Sequence, residues 1–179
     1  MQHEITMAGF GGQGIMTAGQ LLAYAGMQEG KYVLWFPSYG PEMRGGTAYC
    51  TVVVADKQIA SPIIQTPLTI AVFNRQSMDK FESKVKKGGL LIVNSSLINI
   101  KATRKDIEEL YIPANDIALK VGSPKATNMV MLGAFIGRTN IVKLDNIKAI
   151  FAEKMKLKKA VIDINYKALD EGFALGKKN

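Results

Sequence analysis

The sequence has few of the residues from which metal centres and covalent catalysts are built. Its 179 residues include one cysteine, Cys50, and one histidine, His3. An iron–sulfur cluster needs about four cysteine ligands, and a structural zinc site of the Cys/His type needs several such residues together. There is also no Ser/His/Asp set, no P-loop lysine and no pair of carboxylates in a shared apolar setting. We therefore expect neither a catalytic residue nor a metal ligand in this chain, which taken alone is hard to interpret as an enzyme.

Charged residues are missing from residues 5–28, a length that could span a bilayer. Glycines interrupt this segment and Glu4 precedes it, which is unlike a membrane helix or a signal peptide. The net charge of +8 comes mostly from lysines at expected helix ends and exposed helix faces, with no aromatic residues between them. We therefore expect a cytoplasmic protein that uses neither a membrane nor a nucleic acid as a partner. Docking to a more acidic protein stays open.

Length and pattern predict one α/β domain over residues 1–179 with a mixed, mostly parallel sheet. The chain is long enough to bury one core, and its hydrophobic fraction of 47% is ordinary for a folded protein. Apolar runs of strand length alternate with helical segments. We expect a helix at residues 15–28, a strand at residues 47–55 that is buried on both faces, and a hairpin partner at residues 58–62. Ser77 is expected to cap a helix at residues 78–86, His3 to be an exposed strand residue, and Asn128 to bond to a neighbouring loop.

The first strand runs into a glycine-rich turn, Gly9-Phe10-Gly11-Gly12-Gln13-Gly14, and then into a helix. Glycine tolerates positive φ and lets a ligand approach the backbone closely, and the free amides at the start of a helix favour an anion. The pattern fits G-x-G-x-x-G, but a dinucleotide site needs an acidic residue at the end of the second strand. Phe36-Pro37-Ser38 stands there instead. A structural turn, a loop for a partner subunit and a phosphate-binding loop therefore remain the open alternatives.

A second glycine- and proline-rich segment covers residues 37–46. Such a composition predicts an ordered loop rather than a helix or a central strand. It carries three large polar side chains, those of Tyr39, Glu42 and Arg44, on a restricted backbone, which favours a binding role. An internal Glu42–Arg44 ion pair that only pins the loop is the alternative.

Four motifs in order along the chain resemble the gamma subunit of 2-oxoacid:ferredoxin (acceptor) oxidoreductases. They are Gly9-Phe10-Gly11-Gly12-Gln13-Gly14, Pro37-Ser38-Tyr39-Gly40-Pro41-Glu42-Met43-Arg44-Gly45-Gly46, Gly88-Gly89-Leu90-Leu91-Ile92-Val93-Asn94-Ser95-Ser96 and Asn128-Met129-Val130-Met131-Leu132-Gly133-Ala134. The first two look more like the 2-oxoglutarate and branched-chain branches of the family than like the pyruvate branch. The resemblance implies a three-layer α/β/α domain with a mixed sheet.

The resemblance also implies an assembly that oxidatively decarboxylates a 2-oxoacid to its acyl-CoA and reduces ferredoxin. Thiamine diphosphate, Mg²⁺ and the iron–sulfur clusters would belong to alpha and beta subunits and to a candidate delta subunit, with coenzyme A as co-substrate. It implies that the glycine turn lies on the coenzyme A side, with Gly11, Gly12, Gln13 and Gly14 as the cofactor-binding residues. It also implies that the second loop contacts the catalytic subunits through Tyr39, Glu42 and Arg44. Gln20 stands where some pyruvate-type relatives carry a lysine. A free-standing CoA- or nucleotide-binding module is the rival interpretation, and a homodimer is a candidate state of the isolated chain.

Overall fold

The computed structural model describes residues 1–39, 46–61 and 63–177, which form six strands and six α-helices around one sheet. The strands are β1 (Gln2–Phe10), β2 (Tyr32–Tyr39), β3 (Thr47–Ala55), β4 (Thr69–Val72), β5 (Leu90–Asn94) and β6 (Glu108–Ile112). The helices are α1 (Ile15–Gln28), α2 (Arg75–Phe81), α3 (Ala114–Val121), α4 (Thr127–Thr139), α5 (Leu144–Met155) and α6 (Lys159–Lys177). Among these described residues, no helix is both long and apolar enough to cross a membrane.

The sheet has the order β2-β3-β1-β4-β5-β6 and is mixed, as expected. Only β3 runs against its neighbours, being antiparallel to both β1 and β2, while β1, β4, β5 and β6 pair in parallel. Five strands therefore end at the same edge of the sheet. Open α/β sheets bind their ligands at that edge, beyond the carboxyl ends of the strands.

Helices and loops cover the two faces of the sheet unequally, which gives the three layers. One face packs beneath α1, α3, α4, α5 and α6 in the larger apolar cluster, which contains Leu21, Phe135 and Leu169. The other face packs beneath α2 and the segment after β5, in a smaller cluster around Met78, Phe81 and Ile98. The α/β/α arrangement follows, with most of the core on the α1 side.

The predicted end of the second strand is wrong, because β2 continues through Pro37 and Ser38 to Tyr39. A proline has no backbone N–H and is excluded from central strands, but an edge strand leaves one side of its backbone without a partner. Since β2 is an edge of this sheet, the proline does not stop it. The prediction failed because the position of the strand in the sheet was not visible in the sequence.

Three local predictions also need correction. Residues 58–61 form no strand, and β3 takes both of its partners from earlier in the chain. Only the second half of β3 is buried on both faces. Helix α2 begins three residues before the predicted start, because the side chain of Asn74 rather than that of Ser77 caps it by accepting a hydrogen bond from the Ser77 amide at 2.9 Å.

Helices α4 and α6 pack with their backbones in contact. A Cβ atom added at Gly133 or Gly137 would collide with backbone atoms of Leu169 and Phe173 in α6. The reverse holds for Gly172 and Gly176, whose added Cβ atoms would collide with the backbone of α4. The amino end of α4 reaches the carboxyl edge of the sheet, so this close packing fixes the helix that carries Asn128.

Candidate functional site

The glycine-rich turn, residues 11–14, adopts a backbone that needs glycine at two positions. Gly12 has φ +95° and Gly14 has φ +74°, both in the left-handed region. A Cβ atom at Gly12 would meet nothing within 4 Å, so this part of the turn faces open space. A Cβ atom at Gly14 would instead collide with the side chain of Asn128. The turn is thus exposed on one side and held tightly on the other.

Gln13 turns its side-chain oxygen inward to fix the turn. Its Oε1 accepts a hydrogen bond from the amide of Phe10 at 2.7 Å and another from Asn74 Nδ2 at 3.1 Å. Asn74 follows β4, so the turn after β1 is bonded to the end of the neighbouring strand. The oxygen of Gln13 is therefore occupied, and within the described ranges its amide nitrogen makes no hydrogen bond.

Asn128 ties the amino end of α4 to the amino end of α1, which confirms the prediction that it bonds to a neighbouring loop. Its side chain is 6% exposed, and its Nδ2 donates to the carbonyl oxygen of Gly14 at 3.0 Å. The same carbonyl accepts the amide of Ala18 at 3.0 Å. This bond satisfies the buried amide and holds the two helix starts side by side.

The start of α1 has neither a side-chain cap nor an acidic residue in its own first turn. Its N-cap residue is Gly14. Amides in the first turn of a helix have no intrahelical acceptor, and the helix dipole adds partial positive charge there. The first turn of α4 also lacks an acidic residue. An anion is the kind of group that this arrangement stabilises.

A cleft of about 190 Å³ opens beside the turn and contains a lysine that the sequence analysis did not single out. It is lined by Gly12, Gln13, Asn115, Pro124, Lys125 and Thr127. Lys125 is exposed and lies in a short 3₁₀ turn, Pro124–Ala126, directly before α4. The signal that could have found it is a lone lysine in a Ser-Pro-Lys turn at a helix start, apart from the other lysine clusters.

Asn115 is held at the cleft by a buried asparagine at the end of β5. Asn94 is fully buried, and its Nδ2 donates to Asn115 Oδ1 at 2.7 Å and to the carbonyl oxygen of Phe73 at 3.1 Å. Its Oδ1 accepts the amide of Ala114 at 3.3 Å. Asn94 thus has a positioning role at this edge, while Asn74 both caps α2 and supports Gln13.

The second predicted loop leaves from the same edge as the glycine turn. The last residue of β2, Tyr39, pairs with Ala48, which in turn pairs with Gly9. The carbonyl oxygen of Gly46 accepts the amide of Gly11 at 3.4 Å, which links the two loops directly. Glu42, Arg44 and the side chain of Tyr39 lie outside the described residues, so their predicted interface role stays a prediction.

The cysteine and the histidine lie away from this edge. Cys50 is fully buried under α1, as expected for a core residue, and burial raises the pKa of its thiol to about 12. His3 is half-buried rather than exposed: its Nε2 is 2.9 Å from Thr69 Oγ1 and its ring packs edge-on against Phe135. Burial lowers the pKa of His3. In the described part of the chain, no three His, Cys, Asp or Glu side chains come together as a metal site would require.

Comparison with known proteins identifies relatives over nearly the whole chain. Residues 4–175 match the family model described as pyruvate ferredoxin/flavodoxin oxidoreductase. The ketoisovalerate oxidoreductase subunit VorA of Methanothermobacter marburgensis is 36% identical over 98% of this chain, which spans 37% of the length of that relative. The 2-oxoglutarate synthase subunit KorC of Methanocaldococcus jannaschii is 33% identical over 99% of this chain and 95% of its own length.

Two solved structures share the fold. The gamma subunit of a keto/oxoacid ferredoxin oxidoreductase from Geobacter sulfurreducens has a TM-score of 0.84 and 28% identity, with 98% of both chains covered. The 2-oxoglutarate:ferredoxin oxidoreductase of Magnetococcus marinus, solved with 2-oxoglutarate, coenzyme A and succinyl-CoA bound, has a TM-score of 0.91 and 26% identity. The match covers 98% of this chain and 31% of that one. The expected α/β/α fold is therefore that of the gamma subunit structures.

Proposed function

This chain belongs to the pyruvate ferredoxin/flavodoxin oxidoreductase family, and on that premise we propose that it is the gamma subunit of a multi-subunit 2-oxoacid:ferredoxin oxidoreductase. The assembly would decarboxylate a 2-oxoacid oxidatively, transfer the acyl group to coenzyme A and reduce ferredoxin. The observation that carries the proposal is the match to KorC, which covers nearly all of both chains. Relatives named for 2-oxoglutarate and for ketoisovalerate both support a 2-oxoacid substrate; of the two, we propose 2-oxoglutarate.

The redox and thiamine cofactors are assigned to partner subunits, alpha, beta and a candidate delta. An iron–sulfur cluster needs thiolate ligands. The single cysteine of the chain, Cys50, is buried in the core, and burial raises its pKa to about 12. This residue does not suit a cluster. Thiamine diphosphate with its Mg²⁺ is likewise assigned to another subunit, so that this chain contributes binding surface rather than reacting groups.

We propose that the glycine turn forms the coenzyme A side of this subunit. Coenzyme A supplies the thiol that accepts the acyl group, and its phosphates are the part that suits this edge. Gly11, Gly12 and Gly14 offer backbone that a phosphate can approach, Gln13 offers its amide nitrogen, and Lys125 lines the same cleft. Some pyruvate-type relatives carry a lysine where this chain has Gln20, and Lys125 would supply the missing positive charge. A lysine binds phosphate as a point charge.

The loop of residues 40–45, with Tyr39 before it, is proposed as the surface that docks on the catalytic subunits. Its two ends leave the sheet beside the glycine turn, so a partner bound there would lie next to the coenzyme A side. We expect Arg44→Ala to weaken assembly of the complex while the isolated chain keeps its thermal unfolding midpoint. Unchanged assembly and turnover would argue against this role.

The experiment that tests the proposed function is purification of the tagged chain from its native cells. The co-purifying chains are identified by mass spectrometry, and viologen reduction is assayed with coenzyme A and either 2-oxoglutarate or ketoisovalerate. We expect thiamine-binding and cluster-binding chains to co-purify, with activity that requires coenzyme A. A chain that purifies alone and inactive would contradict the subunit assignment, and calorimetry with coenzyme A would then test the free-standing module.

A further inference from the structure

A second pocket lies on the opposite face of the sheet from α1 and shares no lining residue with the cleft beside the glycine turn. Its volume is about 340 Å³, within the range of small-molecule sites, about 300 to 1,000 Å³. It is enclosed by β1, β3 and β4 below, by Phe81 of α2 at one side and by the segment before β4, residues 64–67, at the other. This pocket is not used by the proposed function.

The floor of the pocket carries two threonines, of which Thr6 is buried and Thr51 half-buried. Thr6 on β1 is 4% exposed, and its Oγ1 lies 2.9 Å from the Oγ1 of Thr51 on β3. A hydrogen bond between two hydroxyls uses one of their two protons. Neither hydroxyl makes another side-chain hydrogen bond within the described ranges, so the pair keeps a proton and lone pairs for a polar atom of a ligand.

The walls are mostly apolar, with the exposed Gln65 as their polar side chain, and a lysine lies at the rim. The rings of Tyr49 and Phe81 pack at a tilt of 60°, with 5.0 Å between their centroids, and Ile64 and Pro67 close the opposite side. Lys84 is exposed at the rim, with its Nζ 5.1 Å from the centroid of Phe81. Among the residues that the structure describes, no acidic side chain lines the pocket. A ligand that fits has an apolar body and one negative charge at its outer end.

We propose that this pocket binds a small monocarboxylic acid with an aromatic or branched apolar body. The carboxylate meets Lys84 at the rim, the apolar body packs between the Tyr49 and Phe81 rings and the Ile64 wall, and a polar atom at the inner end bonds the threonine pair. This assignment does not depend on the proposed function, because it involves none of the residues of the glycine turn or its cleft.

The first test uses phenylacetate and its neutral isostere phenylacetamide as probes of the full chain. Each is titrated into ¹⁵N-labelled protein while the amide resonances are followed. We expect saturable shifts at Thr6, Tyr49 and Thr51, with phenylacetate binding about tenfold more tightly because it forms a charge-assisted contact. No saturation, or shifts centred elsewhere, would overturn the proposal.

Matched variants separate the rim from the floor. Lys84→Gln should weaken phenylacetate about tenfold and leave phenylacetamide unchanged, whereas Lys87→Gln, an exposed lysine of the same segment outside the lining, should change neither. 4-Hydroxyphenylacetate should bind more tightly than phenylacetate, and Thr51→Val should remove that advantage. Equal effects of the two lysine variants would overturn the proposal even if Thr51→Val failed to fold.

Discussion

Glycines serve two different purposes in two regions of this molecule. At the turn after β1, Gly12 and Gly14 are required by their positive φ, and Gly12 faces open space. Between α4 and α6, Gly133, Gly137 and their counterparts sit in ordinary helices, where an added Cβ would strike the backbone of the other helix. The first set leaves a surface open, where we propose that a ligand binds, and the second brings two helices together. A glycine-to-alanine change should therefore lower stability between α4 and α6, whereas at Gly12 it should lower function.

The largest expected effect is that of Gly137→Ala. Its Cβ would collide with the backbone of Phe173, which cannot rotate away as a side chain can. Overpacking of a core costs about 1 to 3 kcal/mol and occasionally more, while alanine regains about 1 kcal/mol of helix propensity. Because the collision is with backbone, we take the upper end of that range, about 3 kcal/mol, which leaves a net loss of about 2 kcal/mol. Such a loss lowers the thermal midpoint by roughly 4 to 8 °C.

The measurement is thermal unfolding followed by circular dichroism. Lys167→Ala, an exposed substitution on α6, is the control and should stay within about 0.5 kcal/mol of the parent. An unchanged midpoint for Gly137→Ala would show that α4 and α6 have room to separate.

Gly14 shares a feature with each set of glycines, because it has a positive φ and also a close neighbour. The effect of Gly14→Ala on stability is therefore expected to be intermediate. The left-handed backbone costs an alanine about 1 to 2 kcal/mol, and the new methyl must displace Asn128, a side chain rather than backbone. We expect a smaller loss of stability than for Gly137→Ala, measured by urea unfolding. A larger loss than that of Gly137→Ala would reverse the comparison.

Gly12→Ala should separate function from stability. Its backbone strain is about 1 to 2 kcal/mol, with no collision, so the complex should still assemble. A methyl group in the approach to the turn should nevertheless raise the KM for coenzyme A several-fold. Steady-state kinetics of the assembled enzyme measure this, and an unchanged KM alongside normal assembly would assign the turn to structure alone.

The last effect is absent at neutral pH and concerns a third glycine environment. A Cβ atom added at Gly19 in α1 would lie 2.6 Å from the sulfur of Cys50, and the burial of this thiol raises its pKa. The pKa of Cys50 is raised to about 12 in the folded chain, against about 8.5 when unfolded. Its contribution to stability is therefore complete below pH 8.5 and is lost as the pH rises toward 12.

The expected slope is about 1.4 kcal/mol per pH unit between roughly pH 9 and 12. Urea unfolding at several pH values should show this slope in the parent and not in Cys50→Ala. Parallel curves for the two proteins would mean that the thiol is open to solvent.

Periodic and apolar segments were predictable from the sequence, whereas features set by distant residues were not. The bounds of α1 follow from local pattern. The proximity of Lys125 to the glycine turn could not be predicted, because the sequence does not show that α4 begins beside α1. The continuation of β2 through Pro37 depends on its place at the sheet edge, and the capping of α2 by Asn74 depends on where β4 ends.

The central claim, that the glycine turn and Lys125 face coenzyme A, is tested most directly by the KM for coenzyme A of the assembled enzyme carrying Lys125→Gln. The control is Lys120→Gln, an exposed lysine of α3 outside the cleft. Loss of a charged hydrogen bond to phosphate should raise the KM about tenfold, with little change in kcat or in the KM for the 2-oxoacid. Identical coenzyme A kinetics for the parent and both variants would contradict the account.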